Sequence, residues 1–232
     1  MDQYAVHYLQ TEVREHVVAD IVSVAQYHAR RHANNHGHFS TPRQVFCLVD
    51  HLGYLAYGET SSISAARFIR EHFPERYGPL AELVHAMWRH GTVHQFRPYG
   101  YVDSSQDDAS RQVWWLTTNH NRKAERRQHM LVYPVPHVSN AVYVVVNCCQ
   151  LADDLLLAVD RLISRIETGD FDAEPLMARI ATVRKPQQVD GIKAGAAAKQ
   201  ILREQIALAW ESSGGRLDAK LNVVEQHPEA AQ

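Results

Sequence analysis

Residues 4–28, YAVHYLQTEVREHVVADIVSVAQYH, set Leu9, Val13, Val17, Ile21 and Val24 three or four positions apart, with polar residues between them. That spacing is one face of an α-helix, so the segment is predicted to be a long amphipathic helix whose apolar stripe needs other helices to cover it. Beyond it, residues 30–42 (RRHANNHGHFSTP) carry two Asn, a Gly and a Pro without a periodic apolar face, and the helix is expected to end there. Ser40 and Thr41 can cap a second helix with Pro42 at its first position; Val45, Phe46, Leu48, Val49, Leu52 and Leu55 form its broad apolar face, and Gly58 stops it. A third short helix is expected from the caps at Thr60–Ser62 to Phe73, and a fourth from Pro79 to about Phe96, where Pro98 and Gly100 end it.

The pattern then changes. Gln112–Thr118 (QVWWLTT) and His129–Val135 (HMLVYPV) are β-branched or aromatic runs separated by a polar stretch, the mark of a hairpin with a long tip, Pro134 suiting an edge or a strand end. Ala141–Ile166 continues without a breaker through Leu151, Leu155, Val159, Leu162 and Ile166 and is expected to be another long helix despite its β-branched start, with Asn140 helping to cap it. Shorter helices are expected at 173–183 and 192–210. The expected fold is mainly α: an antiparallel helical bundle with a β-hairpin insertion at about 112–135 and extra C-terminal helices. No internal repeat or linker divides it, so residues 1–215 form one expected domain and 216–232 a flexible tail.

Composition supports a folded chain. Of 232 residues, 45% are hydrophobic and 22% charged, with 11 Gly and 9 Pro, which argues against disordered and collagen-like classes. The longest apolar candidate for a membrane span, Ala141–Val146, ends at Asn147, far short of the length a bilayer needs. Asp2, Glu12, Arg14, Glu15 and Asp20 interrupt any signal-peptide core, and three cysteines without metal or redox spacing suit a reducing compartment, so a cytoplasmic location without membrane contact is expected. The net charge of −2 provides no global field for nucleic acid, so binding of RNA requires a local patch.

The fourth helix carries the chemistry. Within Leu80–Phe96, LAELVHAMWRHGTVHQF, Arg89 is followed by the polar His90 and, five positions on, by His94. A guanidinium holds two phosphate oxygens and an imidazole exchanges a proton near pH 7, a pair suited to phosphodiester chemistry. On a continuous helix the two lie about 140° apart, flanking a cleft rather than sharing a stripe. Arg31, His32 and His36 repeat the spacing but head into a Gly-containing loop, while Arg67 and His72 have Phe68 in the polar place. The Arg89 copy is preferred because Leu80, Leu83, Val84 and Met87 would hold its helix in a bundle.

In Arg89, His90 and His94 the chain resembles the HEPN family (higher eukaryotes and prokaryotes nucleotide-binding domain), and the helical order from Val45 to Ile166 agrees loosely with it. The resemblance implies a metal-independent endoribonuclease acting as a homodimer. In that reading His94 is the acid/base, Arg89 the phosphate clamp and His90 a polar support, with no cofactor, and an antitoxin or regulatory protein as partner. Other members of the family are non-catalytic, so a helical interaction or regulatory module stands as the alternative.

Two further clusters stand out. The hairpin tip NHNRKAERRQH gathers Arg122, Lys123, Arg126 and Arg127 near Trp114 and Trp115, residue types that meet RNA phosphates and bases. A charged tip also serves to keep an edge hairpin soluble. His28, His32 and His36 recur every fourth residue, and His51, His85, His90 and His94 decorate two helices with Asp50 close by, so a metal-binding protein is a third reading. No metal site is assigned from them, because neither H-E-x-x-H nor a paired E-x-x-H occurs.

Overall fold

The computed structural model describes residues 2–31, 38–58, 62–90, 98–104, 111–186, 188–211, 216–217 and 223–224. By its contacts the chain forms two compact units, residues 1–182 and 183–232. The protein is mainly helical with a small four-stranded sheet.

The first unit opens with α1, residues 2–31, a continuous helix that is α-wound over Asp2–Tyr8, π-wound over Leu9–Val18 and α-wound again over Ala19–Arg31. The wider winding, in which the amide of Ala19 bonds back to the carbonyl of Arg14, corrects the expected stripe. Leu9, Val13, Val18, Ile21 and Ala25 are buried, whereas Val17 is exposed, because five rather than four residues separate Val13 from the next inward position. Helix α2 (Ser40–Tyr57) buries all six residues expected of its apolar face and ends at Gly58, whose φ of 86° is the left-handed conformation glycine adopts without strain. Helix α3 (Ser62–His72) crosses α2 closely enough that a Cβ on Gly53 would lie 2.8 Å from the carbonyl carbon of Ser64. A 3₁₀ turn, Glu75–Leu80, then leads into α4 (81–90), α-wound over Ala81–His85 and π-wound over Ala86–His90. The expected continuation of this helix to Phe96 lies outside the described residues.

The sheet has the order β1-β2-β4-β3, with β1 Tyr101–Asp103, β2 Arg111–Thr118, β3 Val132–Pro134 and β4 Ala141–Asn147. Here two expectations are corrected. The runs at 112–118 and 129–135 do form strands, but they are not a hairpin: β4 lies between them, parallel to β2 (Val113 opposite Val142) and antiparallel to β3 (Tyr133 opposite Tyr143). Nor is 141–147 the start of a helix. Its β-branched residues fit a pleated surface better than a helix, and a central strand with neighbours on both sides takes a nearly continuous apolar run such as AVYVVV. Pro134 sits in an edge strand, where a missing amide costs no ladder bond. Between β2 and β3 the tip folds as a short helix, α5 (Lys123–Arg126).

The chain switches from strand to helix at Asn147, which is fully buried. Its Oδ1 accepts from the amide of Gln150 at 2.9 Å and caps α6 (Cys148–Glu167), while its Nδ2 donates to Thr118 Oγ1 and to the carbonyl of His120, each at 2.9 Å. Helix α6 buries Leu151, Leu155, Val159, Leu162 and Ile166, the expected stripe, against α1, α2 and α3. Helix α7 (Ala173–Val183) follows. Arginines finish two of the helices: Arg161 donates to the carbonyls of His72 and Phe73, and Arg179 to those of Leu55 and Ala56, at 2.8–3.0 Å.

The second unit holds a 3₁₀ turn, Val189–Gly191, and α8 (Ala196–Glu211). Arg203 pairs with Asp190 at 2.5 Å, and Ile201, Ile206 and Leu208 are exposed. The expected domain end at 215 falls inside this unit and outside the described residues; within the expected tail, Arg216–Leu217 pairs with Val223–Val224 and the remainder lies outside them. Among the described residues, no helix is long and apolar enough to cross a membrane.

Candidate functional site

The inner face of α4 buries Val84, His85, Met87 and Trp88, fixing the helix against α2. Four positions after His85 the same helix presents Arg89, and both side chains reach one carboxylate, that of Asp50 on α2. His85 Nε2 lies 2.6 Å from Asp50 Oδ1, and Arg89 Nε donates to Asp50 Oδ2. Burial works to raise the Asp50 carboxyl, but the hydrogen bonds and charges of His85 and Arg89 outweigh it and hold it below its ordinary range. Asp50 is thus an acceptor for both neighbours and holds the guanidinium by its Nε edge. Among the described residues Arg89 has no other partner, so its terminal nitrogens keep their N–H donors.

Of the motif residues, Arg89 is 27% exposed at the end of α4, the backbone of His90 completes that helix, and His94 lies outside the described residues. In the sequence Asp50 and His85 stand out only as possible members of a histidine cluster. Nothing local signals that Asp50, 39 positions away, holds Arg89. The histidine cluster itself divides. His51 turns away from Asp50 to bond Tyr8 Oη at 3.1 Å, and burial lowers its pKa. Among the described residues no three His, Cys, Asp or Glu side chains converge to hold a metal; His32 and His36 lie outside them.

A second site is built around the tip helix α5. Arg126 is held on three sides: Nε donates to Gln150 Oε1 at 2.9 Å, Nη1 to Asn121 Oδ1 at 3.0 Å, and Nη2 to Asp153. Arg76, from the 3₁₀ turn before α4, donates to Asp154. With Asn121, Lys123, Arg127 and Gln150 these arginines line an open pocket, and among the described residues no acidic side chain is in its wall. Of the four expected RNA-contacting cations, Lys123, Arg126 and Arg127 meet there; Arg122 stands apart, 3.7 Å from Glu125. Trp114 and Trp115 line a separate groove on the sheet with Gln112, Val135, Val138, Ala141 and Tyr143.

Behind the pocket lies a buried polar chain whose protons can be placed by elimination. His129 Nδ1 accepts from the amide of Asn147 at 2.9 Å, so the neutral ring carries its proton on Nε2 and donates it to Tyr77 Oη at 2.5 Å. Tyr77 then donates to Asp154 Oδ2 at 2.9 Å, and Gln150 Nε2 donates to Asp154 Oδ1 at 2.8 Å. Burial, aided by the charges of Arg76 and Arg126, lowers the pKa of His129 to about 3; burial and Asp154 push that of Tyr77 well above its usual value. Neither group titrates near pH 7. The chain holds Asp154, and Asp154 holds Arg76.

Comparison with family models, with curated proteins and with solved structures gives no match.

Proposed function

We propose that this protein is an RNA-binding, HEPN-like endoribonuclease of the cytoplasm that works without metal and as a homodimer. The observation that carries the reading is the Asp50 carboxylate shared by His85 and Arg89, which presets a phosphate-binding guanidinium at the helix end leading to His94. In this reading the terminal N–H groups of Arg89 hold non-bridging oxygens of the scissile phosphate. His94 takes the proton of the ribose 2′-hydroxyl as its oxygen attacks phosphorus, and a protonated imidazole gives a proton to the 5′-oxygen as the P–O5′ bond breaks. The products are a 2′,3′-cyclic phosphate and a 5′-hydroxyl. His90 is a polar support, Arg122, Lys123, Arg126 and Arg127 meet flanking phosphates, and an antitoxin or regulatory protein is the partner that would cover the site.

Purified protein incubated with structured and single-stranded RNA in excess chelator tests this. Cleavage leaving cyclic or 3′-phosphate ends, absent from the Arg89→Ala/His94→Ala variant, is the expected result; intact RNA, or equal cleavage by the variant, overturns it. The same ion pair supports a second reading, a non-catalytic interaction module in which Arg89 only ties α4 to α2. That module cleaves nothing, and Arg89→Ala alters only its stability or assembly.

A further inference from the structure

We propose that the pocket lined by Arg76, Asn121, Lys123, Arg126 and Arg127 binds a dianionic phosphate monoester. Four cations line the wall, and two of them are matched by carboxylates, Arg76 by Asp154 and Arg126 by Asp153. Among the described residues neither Lys123 nor Arg127 has an acidic partner, so the pocket keeps a surplus of two positive charges. A phosphate monoester near pH 7 carries close to two negative charges, whereas a phosphodiester carries one.

Geometry points the same way. The two paired arginines are held from behind, so little side-chain entropy is lost when they meet a ligand. Gln150 is spent on both sides, accepting from Arg126 and donating to Asp154, and acts as a brace. Three of the five N–H groups of Arg126 are engaged, leaving one on each terminal nitrogen. Asn121 accepts from Arg126 through Oδ1 and therefore keeps its amide nitrogen as a donor. Donors on fixed mounts, with two exposed cations to close over the ligand, form a cradle for tetrahedral phosphate oxygens. The buried chain from His129 through Tyr77 to Asp154 gains a purpose here, since it fixes the carboxylate on which Arg76 is mounted.

The same chemistry is offered by the terminal phosphate of an RNA and by a free nucleoside monophosphate, and the test separates them. Binding is measured by fluorescence anisotropy and calorimetry on the full chain carrying Arg89→Ala/His94→Ala, so that no cleavage consumes the probe. The probes are hexauridylate with a 5′-phosphate, with a 3′-phosphate and with hydroxyl ends, and AMP against adenosine. A terminal phosphate is expected to tighten RNA binding about tenfold or more, or AMP to bind where adenosine does not. The gain should vanish in Lys123→Ala/Arg127→Ala, whose altered side chains are exposed, and weaken as pH falls through about 6, where the monoester loses its second charge. A gain with RNA alone assigns an RNA end; a gain with AMP as well assigns the free monoester. Equal binding of phosphorylated and hydroxyl-ended RNA together with no binding of AMP overturns the proposal, as does a gain that survives Lys123→Ala/Arg127→Ala. The pocket does not depend on the Arg89 centre: a protein that cleaves no RNA but binds AMP in this way refutes the nuclease and leaves the pocket standing.

Discussion

Two aspartates organise the polar chemistry of this protein, and they do so in opposite settings. Asp50, with its side chain 31% exposed, holds His85 on one oxygen and Arg89 on the other at the end of α4. Asp154, 4% exposed, holds Tyr77 and Arg76 on one oxygen and Gln150 on the other, with His129 Nε2 3.6 Å away. Both aim an arginine outward. The half-buried Asp50 can replace a lost partner with water at small cost, and it holds Arg89 by Nε alone, which leaves the terminal N–H groups facing away from the carboxylate. The buried one cannot, so Arg76 is a fixed part of the wall that it shares with the less encumbered Lys123 and Arg127.

The sharpest way to break this comparison is to remove each carboxylate. Asp154→Ala strands Arg76, the Tyr77 hydroxyl and Gln150 around an empty space and is expected to cost about 3–5 kcal/mol, read from urea denaturation. A loss no larger than that of Asp50→Ala would put the two aspartates in the same class.

Acid should act next, and through histidine. His129, with a folded pKa of about 3, and His72, lowered to about 4 by burial and by Arg165, are both neutral when folded and both bind a proton near pH 6.5 when unfolded. Between pH 6.5 and those folded values the unfolded chain holds more protons, so stability rises with pH across that window and is lost on acidification. Each histidine is expected to remove about 2 kcal/mol between pH 6.5 and 5. The carboxylate of Asp50, held below the ordinary range, adds its own loss only under about pH 4. Denaturation at a series of pH values should show His129→Gln with a flatter slope than wild type; an unchanged slope would mean that His129 is not held neutral.

A smaller effect isolates one bond. Tyr77→Phe keeps the ring and removes the hydroxyl between His129 and Asp154, for an expected cost of about 1.5 kcal/mol. No change in melting temperature would contradict the proton order assigned to the chain. Smallest in stability is Asp50→Asn, expected to cost less than about 1 kcal/mol because an acceptor for His85 remains. Under the proposed nuclease reading RNA cleavage should fall nonetheless, since the amide would turn a donor toward Arg89 Nε. Cleavage at the wild-type rate would show that Asp50 does not position the guanidinium.

Much of the helical half was legible because helices are written locally. The apolar faces of α2 and α6, the stop at Gly58 and the edge position of Pro134 all follow from residues within a turn or two of one another. Val17 misled because one π-wound stretch shifts a stripe by a residue, and spacing alone cannot show the winding. The sheet was legible as strands but not as a pairing: QVWWLTT and HMLVYPV could be seen, yet nothing in them shows that AVYVVV would come between them. For the sites, Arg89, the α5 cations and, beside the histidines, Asp50 are visible as residue types, whereas the pairing of Asp50 with Arg89 and the roles of Arg76, Tyr77, Asp153 and Asp154 are not, since each acts on a residue distant in sequence.

Apolar period and capping act over three or four residues, so the sequence alone marked the cores of α2 and α6, the stop at Gly58 and the places where cations accumulate, but not the strand at 141–147 or the outward turn of Val17. Tertiary structure alone decided that Asp50 meets Arg89, that Asp154 meets Arg76 across 78 positions, and that β4 divides the expected hairpin. A carboxylate can take its partner from any part of the chain that packing brings within about 3 Å, and such pairing leaves no periodic trace in the sequence.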